Sequence, residues 1–200
     1  ALVSRDPNLA RRVIAADKDI DILQREIEEQ VVIMIARRQP MADDLRHIMA
    51  GLKIAGDLER IGDLGKNTAK RALAIADQNY PRPLMVGLQN MLERALSQLK
   101  DVLDAYSDRN AELAYSVWSR DEQLDEMYNS VFRELLTYMM EDPRNIGFCT
   151  HLLFGAKNLE RIGDHTTNIA EIIHFVVHGE ELTADRPKGD TTSMTLFSPD

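Results

Sequence analysis

Cysteine is almost missing from this 200-residue chain: Cys149 stands alone, so no internal disulfide can staple the fold. A basic block is missing as well. Lys and Arg number 24 against 33 Asp and Glu, and the resulting net charge of −9 argues against a nucleic-acid partner. Long apolar runs do not occur. The longest, Val31-Val32-Ile33-Met34-Ile35-Ala36, has six residues where a bilayer span needs about 20, so no transmembrane helix is expected. The start carries neither the charged segment nor the apolar stretch of a signal peptide, and with one cysteine the expected compartment is the reduced cytoplasm. No phosphate-binding glycine loop, serine elbow or nucleotide fingerprint appears. Cys149, set among Phe148, Leu152 and Leu153, reads as a buried thiol and not as a nucleophile. The chain opens on Ala1 without a methionine, and the expectation is that a segment precedes it.

Proline, scarce and placed at intervals, organises what remains. It breaks helix interiors but is tolerated in the first turn. The proline-free stretches 8–39, 41–80, 84–142 and 144–186 are too long for ordinary strands and read as helices. Asp6-Pro7 and Asp142-Pro143 each put a capping carboxylate before a proline at the first helical position. Val13, Ile20, Leu23, Ile27, Val31 and Met34 recur at the spacing of one helix face, as do Leu152, Leu159, Ile162, Ile169, Ile173 and Val176. The polar cluster Tyr106-Ser107-Asp108-Arg109-Asn110, with Asp108 as capping residue, divides the third stretch. Five helices are predicted, near 7–38, 42–77, 83–105, 109–140 and 143–178, with 180–200 as an irregular tail.

The chain repeats itself. Residues 55–69 align with 156–170 at an offset of 101, and nine of the fifteen positions are identical, including Leu-Glu-Arg-Ile-Gly-Asp in both. At an offset of 104, Ala1, Arg5, Leu9, Ala10, Val13, Asp17 and Asp21 pair with Ala105, Arg109, Leu113, Ala114, Val117, Asp121 and Asp125. The predicted fold is therefore all-α, a tandem duplication of a three-helix bundle in which repeat one lacks its first helix. Its divisions fall at 1–79 for the incomplete first repeat, 80–179 for the second, and 180–200 for the tail. With that helix missing, Ile20, Ile27 and Val31 are expected to be exposed.

The duplication preserves four acidic pairs at spacing i, i+4: Asp17 with Asp21, Glu59 with Asp63, Asp121 with Asp125, and Glu160 with Asp164. That spacing puts both carboxylates of a pair on one helix face; Asp17 with Asp21 and Asp121 with Asp125 fall at the rim of the apolar stripe, while Glu59 with Asp63 and Glu160 with Asp164 lie further round. Asn67 and Asn168 extend two of these rows. If neighbouring helices of a repeat pack together, four carboxylates and an amide converge on a cation. An isolated pair of this kind is usually a solvated helix face. Four pairs at repeat-equivalent positions accumulate like-charge repulsion that a counter-ion relieves, although Arg60 and Arg161 offer a competing source of positive charge. Oxygen ligands suit magnesium, calcium or manganese, and carboxylate clusters also hold iron or zinc.

Gly62 and Gly163, each inside a predicted helix, point to close helix contact. Glu171-Ile-Ile-His174 matches one element of a di-iron bundle, but such sites use two, and repeat one has Lys70 and Leu73 there. His174 and His178 have the spacing of a chelate without a third ligand.

Leu-Glu-Arg-Ile-Gly-Asp with an asparagine four residues on, present twice in a helical duplication, closely resembles the PhoU family over residues 1–178. The resemblance implies two three-helix bundles side by side and no catalytic residue. It places metal ligands at Asp17, Asp21, Glu59, Asp63, Asp121, Asp125, Glu160 and Asp164, with Asn67 and Asn168 in support and Mg, Mn, Zn or Fe as the ion. It further implies a non-enzymatic cytoplasmic regulator linking the ATPase subunit of a high-affinity phosphate ABC importer to a phosphate-sensing histidine kinase. Such a regulator holds the starvation response off when phosphate is plentiful, forms a homodimer, and meets the membrane only through those complexes. The rival from the residues alone is a carboxylate-bridged di-metal enzyme in a helical bundle; another is a structural adaptor whose acids pair with arginines.

Overall fold

The computed structural model describes residues 1–78 and 84–183, in which the chain is all-α and no strand occurs. Helix α1 spans Pro7–Arg38. Asp6 caps it as expected, its carboxylate accepting from the backbone N–H groups of Asn8 at 2.8 Å and Leu9 at 3.0 Å, with Pro7 in the first turn. It ends at Gln39, whose left-handed backbone (φ 46°) sends its N–H back to the Ile35 carbonyl just before Pro40. Helix α2 (Asp43–Ala74) returns antiparallel along α1. Helix α3 (Leu84–Asp108) runs three residues past its predicted end, because Asp108 lies in its last turn and Asn110 is the cap that follows. The Asn110 side chain accepts from the Leu113 N–H at 3.0 Å and opens α4 (Ala111–Trp118).

The helix predicted over 109–140 is two helices. After α4 the chain turns at Ser119 and Arg120 before α5 (Asp121–Glu141). The cause lies on α3: Arg120 donates to Asp101 at 2.9 Å and to the Ser116 carbonyl at 2.8 Å, while Gln98 of α3 donates to the Arg120 carbonyl at 3.2 Å. Side chains of a neighbouring helix thus replace the ladder bonds that an unbroken helix would make. The Asp142-Pro143 start also differs. It produces one 3₁₀ turn, Pro143–Asn145, with Asp142 accepting from the Arg144 N–H at 2.9 Å, and α6 (Ile146–His178) follows. Part of the predicted tail, residues 184–200, lies outside the described residues, and 181–183 are irregular.

Helices α1 and α2 correspond to α4–α5 and α6, and α3 packs on α4, α5 and α6. The two pairs share one register. A Cβ added at Gly62 of α2 would lie 2.9 Å from Ile20 of α1, and one at Gly163 of α6 would lie 2.5 Å from Leu124 of α5. Ile20 and Leu124 are equivalent residues at the 104 offset. Both interior glycines therefore sit where a side chain of the partner helix packs onto the helix backbone, which is the contact that their cost in helix propensity implies. The repeats meet through α2 and α6, antiparallel: Asp57 lies opposite His165 and Asn168, and Thr68 opposite Asn158.

The core lies mainly in the second repeat. Leu88, Met91, Leu124, Leu135, Leu152 and Cys149 are fully buried there, and Val102, Val117, Trp118, Ile169 and Ile173 form a second cluster. Burial pushes the Cys149 thiol up to about 11, as suits an inert core residue. Of the apolar face predicted on α1, only Val31 is buried; Val13, Ile20, Leu23, Ile27 and Met34 are exposed. The expected exposure of Ile20 and Ile27 thus holds, and that of Val31 does not.

The crossing geometry makes a stability prediction. Leu124 is packed in the core and has no room to yield, so Gly163→Ala should lower stability by about 1–3 kcal/mol through overpacking. Gly65→Ala, whose added methyl meets nothing within 4 Å, should raise it by up to about 1 kcal/mol. Urea denaturation of the two variants checks both, and an unaffected Gly163→Ala protein would remove the crossing constraint.

Candidate functional site

The register set by these crossings decides where the acidic residues point. Asp17, Asp121, Asp125 and Glu160 are buried, and Asp21, Glu59, Asp63 and Asp164 are half-buried. The rim position read from single helices is corrected here: helix packing covers the acids more fully than any one helix's stripe suggests. Asn67 is exposed. Asn168 turns to the seam between repeats, donating to Asp57 at 3.4 Å, where His165 meets the same carboxylate oxygen at 2.8 Å.

In repeat one, α1 supplies Asp17 and α2 supplies Asp63, and Lys66 stands between them. Its ammonium donates to Asp17 Oδ2 and to Asp63 Oδ1, both at 2.5 Å. The hydrogen bonds to Asp17 and Asp63 raise the lysine above its ordinary range. Asp63 is lowered in turn, first by its bond to Lys66, whereas Glu59 is raised, first by burial and then by the nearby Asp63 charge. Arg60 reaches Glu59 at 3.6 Å and Asp63 at 4.0 Å from an exposed position, where ion pairs contribute little.

Repeat two is built on the same plan with different chemistry. Thr167 of α6, equivalent to Lys66, donates its hydroxyl to Asp121 Oδ1 at 2.9 Å. Asp121 and Glu122 occupy the first turn of α5, where the positive end of the helix dipole favours a carboxylate. Glu160 accepts from Lys157 on Oε1 at 2.9 Å, while its Oε2 is buried without a hydrogen-bond partner. Burial pushes the Glu160 carboxyl from 4.5 up to about 7; Lys157 opposes this, and the charges of Asp164 and Asp125 reinforce it.

A buried carboxylate oxygen lacking a donor, next to two further carboxylates, is a donor set suited to a hard cation. As the side chains stand, no three His, Cys, Asp or Glu among the described residues are gathered tightly enough to hold one. The Glu-x-x-His element is otherwise engaged: Glu171 accepts from the Trp118 indole N–H at 3.0 Å, and the His174 ring lies tilted by 49° against that of His178 with centres 4.6 Å apart. Lys66, Lys157 and Thr167 went unmarked as site residues in the sequence. The signal was the mismatch of Lys66 with Thr167, and of Gly56 with Lys157, inside an otherwise matching repeat.

This arrangement defines a duplicated helical bundle with paired acidic seams, and comparison with known proteins gives its class. The PhoU domain model matches residues 1–72 and 88–173. A Rhizobium meliloti (strain 1021) protein, named phosphate-specific transport system accessory protein PhoU homolog, is 58% identical over 193 residues, covering 96% of this chain and 81% of that one. Its Caulobacter vibrioides (strain NA1000 / CB15N) namesake is 56% identical, covering 97% of this chain and 84% of that one. The crystal structure of PhoU from Pseudomonas aeruginosa superposes with a TM-score of 0.87 at 38% identity, covering 90% of this chain and 86% of that one. That of the phosphate transport system regulatory protein PhoU from Streptococcus pneumoniae gives 0.83 at 31%, covering 92% and 86%. These are accessory and regulatory proteins, not enzymes. The chain belongs to the PhoU family.

The raised Glu160 carboxyl has a defined signature without metal. The folded state binds this proton more tightly than the unfolded state, so the stabilisation is complete below 4.5, shrinks as pH rises to about 7, and is level above. In chelator, Glu160→Gln should flatten the stability profile between pH 4.5 and 7 relative to the parent. Urea midpoints against pH measure it, and parallel profiles would mean that Glu160 ionises as freely folded as unfolded.

Proposed function

We propose that this protein is a non-enzymatic accessory regulator of phosphate uptake and phosphate-starvation signalling. It works in the cytoplasm as a homodimeric, metal-binding adaptor between the ATPase subunit of a high-affinity phosphate ABC importer and a phosphate-sensing histidine kinase. It keeps the response off when phosphate is plentiful. The observation that carries this reading is the 58% identity, over 96% of the chain, to a protein named for the phosphate-specific transport system. No helix among the described residues is long and apolar enough to cross a membrane, consistent with contact to the membrane only through partner complexes.

The metal part of the reading rests on repeat two. Asp121, Asp125, Glu160 and Asp164 are the residues that would hold a divalent cation or iron, with side-chain rotation bringing them together. The bound ion would supply positive charge among buried carboxylates. Because the acids are covered, the ion acts inside the bundle by tying α5 to α6, and bridging to a partner's carboxylates is the weaker mechanism.

Deleting the gene in its host should switch a phosphate-starvation reporter on in phosphate-rich medium, and the parent chain should restore repression. An Asp125→Asn, Glu160→Gln double variant, present at parental level, should restore it only partly and bind the purified importer ATPase more weakly. A reporter that stays off in the deletion strain would overturn the regulatory reading. Full repression by the variant would remove metal from it.

A further inference from the structure

After α6 the chain turns back on itself. Gly179, in the left-handed region at φ 80°, sends its N–H to the Phe175 carbonyl and ends the helix. Arg46 of α2 closes on this turn: its Nη1 lies 3.0 Å from where a Gly179 Cβ would stand, and its guanidinium lies 5.4 Å from the centre of the Phe175 ring. Three residues on, Leu182 packs against the cluster that holds Ile54 and Ile173, and with Glu181 it lines a cleft of about 1010 Å³ between α2 and α6. The chain therefore enters this cleft at one end, and residues 184–200 continue from there.

The α2 wall of the cleft carries charge in a definite order. Going along the helix from that end come Arg46, Lys53, Glu59 and Arg60, a row about 21 Å long at the helical rise. Lys53 is exposed and meets no carboxylate among the described residues. Arg60 is exposed and reaches Glu59 and Asp63 only at 3.6 and 4.0 Å, beyond the roughly 2.7–2.9 Å of a charge-assisted hydrogen bond. Asp57 differs, since His165 and Asn168 already hold it.

The sequence past Thr183 has the answering signs in the same order. Asp185 is followed by Arg186 and Lys188 and then by Asp190, against Lys53, Glu59 and Arg60. The chain from Leu182 to Asp190 spans up to about 26 Å when extended, enough for the length of the row. Pro187 fixes its own φ and biases Arg186 away from helix, which favours the extended form. Lys53 and Arg60 stand about 10 Å apart along α2, and Asp185 and Asp190 up to about 17 Å apart, a difference that side chains of lysine and arginine length take up. Exposed pairs of this kind are individually weak, and tethering supplies the effective concentration that lets several act together.

We propose that residues 184–190 occupy the α2–α6 cleft of their own chain, with Asp185 on Lys53, Asp190 on Arg60 and the basic residues between them facing Glu59. A partner that reaches Lys53 and Arg60 must then displace the tail first. This goes beyond the regulatory reading above and is independent of metal.

Cysteine pairs in the full chain test it, because Cys149 is buried and leaves mild oxidation otherwise silent. Lys53→Cys with Asp185→Cys, and Arg60→Cys with Asp190→Cys, should each close into a crosslinked monomer, seen as a faster band on a non-reducing gel and as a linked peptide by mass spectrometry. Glu141→Cys with Asp190→Cys, placed at the end of α5 beyond the reach of the tail, should not close. Adding Lys53→Glu to the second pair should slow its crosslinking by up to about fivefold, the worth of one exposed pair turned repulsive, and Asp185→Lys should restore the rate. Thermal melts confirm that each variant is folded. Closure of the Glu141 control at a similar rate, crosslinked dimers in place of monomers, or a rate that ignores the charge reversal would each overturn the inference.

Discussion

Everything chemical in this molecule depends on how closely two pairs of helices cross. At Gly62 and at Gly163 the partner helix comes so near that a single methyl group would overlap Ile20 or Leu124. Those crossings fix one register for α1 with α2 and for α5 with α6. One register brings residue 66 to Asp17 and residue 167 to Asp121. A shift by one residue would rotate each donor by about 100° around its helix and carry it away from its acid. The glycines are thus positioning elements for the carboxylates, although they touch none of the chemistry except through Gly62's nearness to Asp17.

Much of the fold was legible in the chain itself. Proline spacing and apolar periodicity marked the long helices, and the duplication marked which of them correspond. What was not legible depended on neighbours. The break between α4 and α5 comes from Arg120 reaching Asp101 and Gln98 reaching back to Arg120, contacts of α3 that no local pattern at 119–120 announces. Asp17, Asp121 and Asp125 read as rim positions, and Glu160 as lying further round, for the same reason, yet all four are buried. A helical wheel knows one helix, whereas α6 is packed against α2, α3, α4 and α5 at once. The acidic pairs could be found by spacing. Their partners, Lys66, Thr167 and Lys157, became meaningful only when the crossing put them within bonding distance.

The seam between repeats is polar where the cores are not. Asp57 meets His165 and Asn168, and Asn158 meets Thr68, so α2 and α6 are held in part by directional contacts whose partners must stay paired. Beside this seam runs a cleft of about 1010 Å³, lined by Arg46, Lys53, Asp57, Glu59, Arg60 and His165 among others. Glu59 belongs to the acidic set of repeat one and also to the wall of this cleft. A change in the electrostatics of that set therefore reaches the inter-repeat surface through one side chain, without any helix having to move.

A buried carboxylate that lacks a donor can be made stable in three ways: by a proton, by a fixed cation, or by a bound one. Repeat one uses the fixed cation. Near neutral pH, Glu160 lies at the balance point of the first, since burial raises its carboxyl to about 7 and the Lys157 ammonium beside Oε1 opposes that rise.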